Sequence, residues 1–138
     1  MIIADTGFWL ALANRADRHH QAALHAMAGV HEGLVTTWPV LTETCHLLSS
    51  RLVVPAQLAF VRGVRNGVCT VFQLGDGHLP RIEELMRHYA DLPMDLADAS
   101  LVVLAEEMGS GRILSTDQRD FHTYRWKNRR PFRNLLLG

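Results

Sequence analysis

The 138-residue sequence has few of the features that mark secreted or membrane-spanning proteins. Its only two cysteines, Cys45 and Cys69, do not form a CxxC pair, so we expect no disulfide framework and two reduced thiols. No apolar run approaches the roughly 18 residues that a membrane-spanning helix needs. The first residues lack the basic region of a secretory signal peptide and include Asp5. We therefore expect a cytoplasmic protein with no membrane segment.

Short motifs of the common nucleotide, serine-hydrolase and zinc sites are also missing. The sequence has no GxxxxGK[ST], GxGxxG or GxSxG pattern, and "HEGLV" (31–35) lacks the second histidine of HExxH. The histidines of "HHQAALH" (19–25) have a spacing that permits metal binding, but a polar helix face explains them more simply. Any catalytic site must therefore be built from other residue types.

The composition is that of a globular chain, with 48% hydrophobic and 20% charged residues. We expect one domain over residues 1–138, which is long enough to bury a full core. The net charge is zero, yet seven of the fourteen basic residues lie within 112–138. The run "FHTYRWKNRRPFR" (121–133) mixes bases with aromatics, which suits contact with nucleic acid, although a solvated loop explains it equally well. The candidate nucleic-acid contacts are Arg119, Arg125, Arg129 and Arg130.

Short apolar runs alternate with helical patterns along the chain. This alternation predicts an α/β fold with a mostly parallel sheet, in which ligands bind beyond the carboxyl ends of the strands. The predicted strands are 1–5, 33–37, 69–74 and 112–116, with a short fifth at 134–137. The predicted helices are 7–14, 18–29 with Asp17 as N-cap, 39–50, 55–66, 78–90 and a last one that opens near Asp95 and ends at Gly109.

Four acidic residues from separate segments fall at this predicted edge. Asp5 and Asp117 end strands, whereas Glu43 and Asp98 lie in the first turns of helices. Each of them alone has a structural explanation, such as a helix cap or a turn. Together, however, four carboxylates would converge on one edge of the sheet, where a ligand site is expected.

Converging carboxylates repel one another, which raises their pKa values unless a cation lies among them. A set of oxygen ligands without a Cys/His cluster favours Mg²⁺ or Mn²⁺ over zinc. This hypothesis gives a buried Asp98 a divalent metal as its partner. Asp95 is better explained as the N-cap of the same helix, with Asp98 at the third helical position.

The same residues carry a resemblance to a known family. The segments "MIIADTGFWLAL", "TTWPVLTETCHLL", "LADASLVVLAEE" and "ILSTDQRDF" together resemble PIN-domain ribonucleases of the kind found as VapC-type toxins of toxin–antitoxin pairs. The resemblance covers nearly the whole chain, and the ordered set of acids is its most specific part. It implies a three-layer α/β/α sandwich with a mostly parallel sheet of four to five strands. It also implies dependence on Mg²⁺ or Mn²⁺, RNA as substrate, a small antitoxin protein as partner, and a homodimer.

The family's acidic quartet maps onto Asp5, Glu43, Asp98 and Asp117. Its two hydroxyl positions map onto Thr6 and Thr116, and His20 takes the place where a histidine commonly follows the first helix. We assign Asp5 and Asp98 as the direct metal ligands. Glu43 and Asp117 would orient water, either beside that ion or as ligands of a second one. A dimer or an antitoxin complex is also expected because "GFWLALA" (7–13) and residues 39–66 carry more apolar surface than a small sheet needs.

Two other functions compete with a metal-dependent endoribonuclease. A metal-dependent phosphatase would usually carry a D-x-D pair after its first strand, but here the run is Asp5-Thr6-Gly7. A PIN-like module that binds RNA or protein without cleavage would usually lack one or more of the four acids, and all four are present. The resemblance favours the toxin of a toxin–antitoxin pair, and a housekeeping nuclease is the alternative that these residues leave open.

Overall fold

A computed structural model of the protein describes residues 1–137, so Gly138, the last residue of the predicted domain, lies outside the described residues. The strands are β1 (Ile2–Ala4), β2 (Leu34–Thr37), β3 (Thr70–Phe72), β4 (Arg112–Leu114), β5 (Arg125–Trp126), β6 (Arg130–Pro131) and β7 (Arg133–Asn134). Five of them form a parallel sheet in the order β3-β2-β1-β4-β7, and β5 pairs with β6 in an antiparallel hairpin. The predicted α/β class with a mostly parallel sheet is confirmed.

Helices flank the sheet, and their bounds are close to those that the sequence predicts. They are α1 (Thr6–Ala13), α2 (His20–Gly29), α3 (Trp38–Arg51), α4 (Val54–Arg65), α5 (Leu79–His88), α6 (Leu96–Met108) and α7 (Gln118–Thr123), with a 3₁₀ turn at Asp76–His78. The central strands β1 and β2 are buried along their whole length, and β2 buries two threonines as well as its apolar residues. Within residues 1–137, no helix is long and apolar enough to cross a membrane.

Helix α6 begins and ends as predicted. Asp95 is its N-cap, and the Asp95 Oδ1 atom accepts the backbone N–H of Asp98 at 2.8 Å. Gly109 follows the helix with φ of 69°, in the left-handed region that glycine adopts without strain. The capping carboxylate of this helix is therefore Asp95, and the Asp98 side chain has other contacts.

Several predicted boundaries differ from the observed ones by one to three residues, and three of these differences have a visible local reason. Helix α2 begins at His20, because the Asp17 carboxylate accepts the His19 N–H at 2.8 Å and holds a turn before it. Strand β3 ends at Phe72, whose carbonyl accepts the N–H of Leu74 in a tight turn. The fifth sheet strand is 133–134 rather than 134–137, because the Asn134 Oδ1 atom accepts the N–H groups of Leu136 and Leu137 at 3.0 and 3.5 Å and turns the chain away.

The two edges of the sheet differ in chemistry. Asp5 follows β1 and Ser115 follows β4, so both lie at the carboxyl edge, which we call the acidic edge. Gly111 precedes β4 at the opposite edge. Helix α6 spans the distance between them: Asp98 is in its first turn, and Glu106 comes eight residues later, about 12 Å along the helix axis.

Candidate active site

Asp5 is the most buried of the four acids, with 7% of its surface exposed. Its Oδ1 atom accepts the N–H of Thr6 at 2.7 Å, and its Oδ2 atom accepts the hydroxyl of Ser115 at 2.9 Å. Burial raises the pKa of Asp5 from 3.8 to about 6, against the lowering effect of these hydrogen bonds, and the charges of Glu43 and Asp117 raise it further. The structure thus brings carboxylates from β1, α3 and the end of β4 into one electrostatic group.

Asp98 joins this group from the first turn of α6. Burial raises its pKa from 3.8 to about 8, and the charges of Asp95 and Asp5 add to the rise. The hydroxyl of Tyr124 donates to its Oδ2 atom at 3.2 Å. All four predicted acids therefore lie at the acidic edge of the sheet.

Asp117 stands at the start of α7. Its backbone N–H donates to the Ser115 hydroxyl at 2.9 Å, and its Oδ1 atom accepts the N–H of Asp120 at 3.1 Å. Burial raises the pKa of Asp117, and the side chain of Asp120 adds to that rise through contact and charge. Asp120 is thus a fifth carboxylate beside the quartet.

The donor set suits a hard divalent cation. Burial and mutual repulsion work against the charged form of Asp5 and Asp98, and a cation among them would offset that cost. The buried Thr6 hydroxyl has no hydrogen-bond partner among residues 1–137 and lies next to Asp5 in the chain. Within the same residues, no three His, Cys, Asp or Glu side chains stand close enough to hold a metal alone. An ion such as Mg²⁺, which uses one or two carboxylates and completes its shell with water and substrate oxygens, suits the pair of Asp5 and Asp98.

Comparison with known proteins identifies the family. A family model described as the PIN domain matches residues 2–127. The chain belongs to the PIN domain family. The prediction of that family from the sequence is confirmed.

Two relatives from Mycobacterium tuberculosis are similar along most of this PIN domain. Ribonuclease VapC26 (strain ATCC 25618 / H37Rv) is 29% identical over 124 residues, which cover 90% of this chain and 92% of the relative. The crystal structure of VapC20, titled a sarcin–ricin loop cleaving toxin, superposes with a TM-score of 0.79 at 24% identity, over 86% of this chain and 92% of that one. The second likeness shows that the two proteins share a fold.

The side-chain hydroxyl that bonds Asp5 in this PIN domain belongs to Ser115, which the sequence does not single out. Ser115 is fully buried and bridges the Asp5 carboxylate and the Asp117 backbone. The carboxamide of Asn134 in turn bonds both backbone groups of Ser115, at 3.3 and 2.8 Å. Thr116, the other hydroxyl that the sequence predicts at this edge, lies against the first turn of α1: a Cβ on Gly7 would lie 1.8 Å from its Oγ1 atom.

The structure separates the four candidate arginines. Arg119 is exposed in the first turn of α7, next to Asp120. The Arg125 guanidinium donates to three carbonyl oxygens at the end of α7, those of residues 122, 123 and 124.

Arg129 and Arg130 belong to the β5–β6 hairpin, whose Trp126 ring meets Gly111 at the opposite edge. Only Arg119 therefore lies beside the acids.

The hairpin is a structured element that composition did not predict. Three residues, 127–129, connect its strands. Lys127 and Asn128 have φ of 51° and 61°, both in the left-handed region, and the Arg129 N–H donates to the Trp126 carbonyl at 3.4 Å. Glu106 of α6 accepts the Lys127 N–H at 2.6 Å and binds the Arg81 guanidinium through both of its oxygens, at 3.0 and 2.7 Å. The basic run is thus anchored to the body of the domain.

Proposed function

We propose that this PIN domain is a metal-dependent endoribonuclease and the toxin of a type II toxin–antitoxin pair. The observation that carries the proposal is the convergence of four carboxylates, from four separate segments, on the acidic edge. Both relatives described above are VapC proteins, which favours a toxin over a housekeeping nuclease. We further propose that the chain works as one PIN-like domain in the cytoplasm.

Each acid takes a role in this proposal. Asp5 and Asp98 would hold a Mg²⁺ or Mn²⁺ ion. Burial and mutual repulsion disfavour the charged forms of both carboxylates, and a cation bound between them would offset that cost. Glu43 and Asp117 would orient the attacking water and accept its proton. Such an ion supplies an activated water and offsets the charge that develops on the leaving 3′ oxygen. Cleavage of this kind leaves a 5′ phosphate on the RNA.

The hydroxyls around the acids would set their geometry. Ser115 fixes one oxygen of Asp5, which leaves that carboxylate with a defined orientation toward a ligand. Thr6 has a buried hydroxyl that is free, among the described residues, to bond an incoming phosphate or a water. Arg119 would contact an RNA phosphate, because it stands exposed at the start of α7.

The α3–α4 face is our proposal for a protein interface with an antitoxin or a second copy. Trp38, Val54 and Leu58 have more than half of their surface exposed, at 57%, 65% and 58%. A groove of about 640 Å³ lies between the two helices. Helix α1, which was expected to share this role, instead buries Phe8, Trp9 and Ala11 in the core. Light scattering across a dilution series would measure the oligomeric state.

Incubation of the purified protein with mixed RNA tests the nuclease proposal. We expect cleavage with Mg²⁺ or Mn²⁺, none with EDTA, and none from Asp5→Asn. Asp17→Asn is the control, because Asp17 is an acid in a turn before α2, outside the quartet. Cleavage that persists in EDTA would contradict the metal requirement. RNA that is bound but never cut would favour the non-catalytic module, and release of phosphate from a monoester without RNA cleavage would favour a phosphatase.

A further inference from the structure

Tyr124, which follows α7, is buried completely and touches the acidic site. Its hydroxyl donates to the Oδ2 atom of Asp98 at 3.2 Å, across 26 residues of sequence. A phenol buried in an apolar cluster needs a hydrogen-bond partner, and here that partner is a carboxylate of the quartet. The contact therefore joins the segment after α7 to the first turn of α6.

The hydrogen bonds to Asp98 are not shared evenly between its two oxygens. Oδ2 accepts the Tyr124 hydroxyl and, at 3.4 Å, the backbone N–H of Asp95. Among residues 1–137, Oδ1 accepts no hydrogen bond. One oxygen is thus held by the protein, and the other has its lone pairs available for a ligand.

The position of the Tyr124 hydroxyl is set by packing around its ring. The ring meets Phe121 edge-on, with centroids 5.2 Å apart and planes at 87°, and meets Tyr89 at 5.0 Å and 67°. The backbone N–H of Tyr124 donates to the Asp120 carbonyl at 2.8 Å. The next residue, Arg125, donates its N–H to the Tyr89 hydroxyl at 2.9 Å. Because the ring is held on two sides and the backbone at two points, the phenol is a fixed donor.

We propose that Tyr124 is a positioning residue, which holds Oδ2 of Asp98 so that Oδ1 is presented to a divalent cation. The inference rests on the proposed function, since it assigns to Asp98 the role of a metal ligand. Tyr124 itself would touch neither the cation nor the RNA. Partners that bond to a ligating carboxylate commonly change metal affinity by 10- to 100-fold when they are removed.

Replacement of a single hydroxyl separates this role from ring packing. Tyr124→Phe keeps the aromatic ring and removes only the donor. Tyr89→Phe is the matched control, because Tyr89 belongs to the same aromatic cluster and its hydroxyl bonds Arg125 rather than Asp98. Tyr89 and Tyr124 are also the only two tyrosines in the chain.

Calorimetric titration with Mn²⁺, in the absence of RNA, measures the expected effect. Tyr124→Phe should weaken Mn²⁺ binding by about ten-fold. Tyr89→Phe should weaken it far less, because it removes one backbone anchor beside Tyr124 and keeps the Tyr124 hydroxyl that bonds Asp98. Urea unfolding of both metal-free variants checks that the difference does not come from stability. In RNA cleavage, Tyr124→Phe should need more Mn²⁺ for half-maximal rate and recover at high Mn²⁺.

The outcomes distinguish this inference from the proposed function. If the unaltered protein binds Mn²⁺ and Tyr124→Phe binds it equally well, the role of Tyr124 is wrong while the metal site stands. If the unaltered protein binds no Mn²⁺, both proposals fall.

A measurement on the unaltered fold covers the case in which Tyr124→Phe does not fold. The protein is labelled with 3-fluorotyrosine, and its two fluorine resonances are assigned with Tyr89→Phe. Titration with Mg²⁺ should shift the Tyr124 resonance and leave that of Tyr89 in place. A Tyr124 resonance that does not respond while Mg²⁺ binds would overturn the inference.

Discussion

At the scale of single residues, Asp95 and Asp98 both stand at the start of α6, where either could cap the helix or bind a metal. Asp95 caps α6 and is exposed. Asp98 accepts a hydrogen bond from Tyr124, and the charge of Asp5 contributes to its raised pKa. A cap needs an acceptor oxygen but no charge, whereas a carboxylate that ligates a divalent cation also contributes negative charge to its binding. The two residues should therefore respond differently to the same Asp→Asn change.

Substitution at Asp95 should affect stability and spare cleavage. Asp95→Asn should be nearly silent, because asparagine caps as well as aspartate, and Asp95→Ala should cost about 1 kcal/mol of unfolding free energy. Urea unfolding measures the cost, and RNA cleavage at saturating Mg²⁺ should survive in both variants. Loss of cleavage in Asp95→Asn, with cleavage intact in Asp98→Asn, would invert the assignment of the quartet.

Metal-free stability should depend on pH through Asp5 and Asp98. Their pKa values in the folded protein are raised from 3.8 to about 6 and about 8. Between about pH 4 and about pH 8, the folded state therefore holds more protons than the unfolded state, so stability falls as the pH rises. In Asp98→Asn, the free energy of unfolding should fall less steeply toward pH 8, and the metal-free variant should be more stable than the unaltered protein at about pH 8. The same variant should not cleave RNA.

Urea unfolding in EDTA at several pH values measures this dependence. Added Mg²⁺ should restore stability at the alkaline end in the unaltered protein, and much less in Asp98→Asn. A variant with the same pH dependence as the unaltered protein would show that the Asp98 carboxyl is not perturbed as described.

At the scale of elements, the close approach of α1 to the loop after β4 builds the acidic edge. Asp5 caps α1 and Asp117 caps α7, so both helices start at the site. Gly7 allows the two segments to meet, because a Cβ there would lie 1.8 Å from Thr116 Oγ1 and 3.0 Å from Thr116 Cβ. The glycine is required by contact between elements rather than by its own backbone angle.

Gly7→Ala should therefore destabilise the protein and reduce cleavage, although alanine is favoured over glycine in helices by about 1 kcal/mol. Adding Thr116→Ala should recover part of the loss, because it removes Oγ1 and leaves Cβ. Gly63→Ala in α4 is the control, since its new Cβ would meet only Val68 at an ordinary 3.8 Å. Thermal unfolding compares the three variants. Equal melting temperatures for Gly7→Ala and Gly63→Ala would refute the contact.

The four acids could be predicted from sequence because each depends on local position. Asp5 and Asp117 follow apolar strands, and parallel strands place their carboxyl ends together. The choice between Ser115 and Thr116 could not be predicted, because these neighbours are both polar and only the path of the chain after β4 decides which one faces Asp5. Tyr124 could not be found either, since its contact with Asp98 depends on how α7 packs against α6.

At the scale of the whole molecule, the two edges of the sheet have separate charge. The quartet and Asp120 gather at one edge, whereas Lys127, Arg129 and Arg130 gather around the hairpin at the other. Composition showed that residues 112–133 are basic, but the distance between Arg119 and the hairpin depends on the path through α7 and β5. An RNA bound for cleavage must approach the acidic edge, where Arg119 is the nearest of the candidate arginines.

The salt dependence of RNA binding should therefore distinguish Arg119 from the hairpin. Each lost phosphate contact lowers the slope of log affinity against log salt by about one unit. We expect that reduction for Arg119→Ala, and a smaller one for Arg129→Ala with Arg130→Ala, because the hairpin lies about 12 Å away along α6. Arg65→Ala is the control, since Arg65 ends α4 and lines the α3–α4 groove that we propose for a protein interface. Binding is measured with Asp5→Asn protein, so that the RNA stays intact. If the double variant of Arg129 and Arg130 reduces the slope more than Arg119→Ala does, the RNA spans both edges. Arg129 and Arg130 would then be substrate contacts, as the composition of the run suggests.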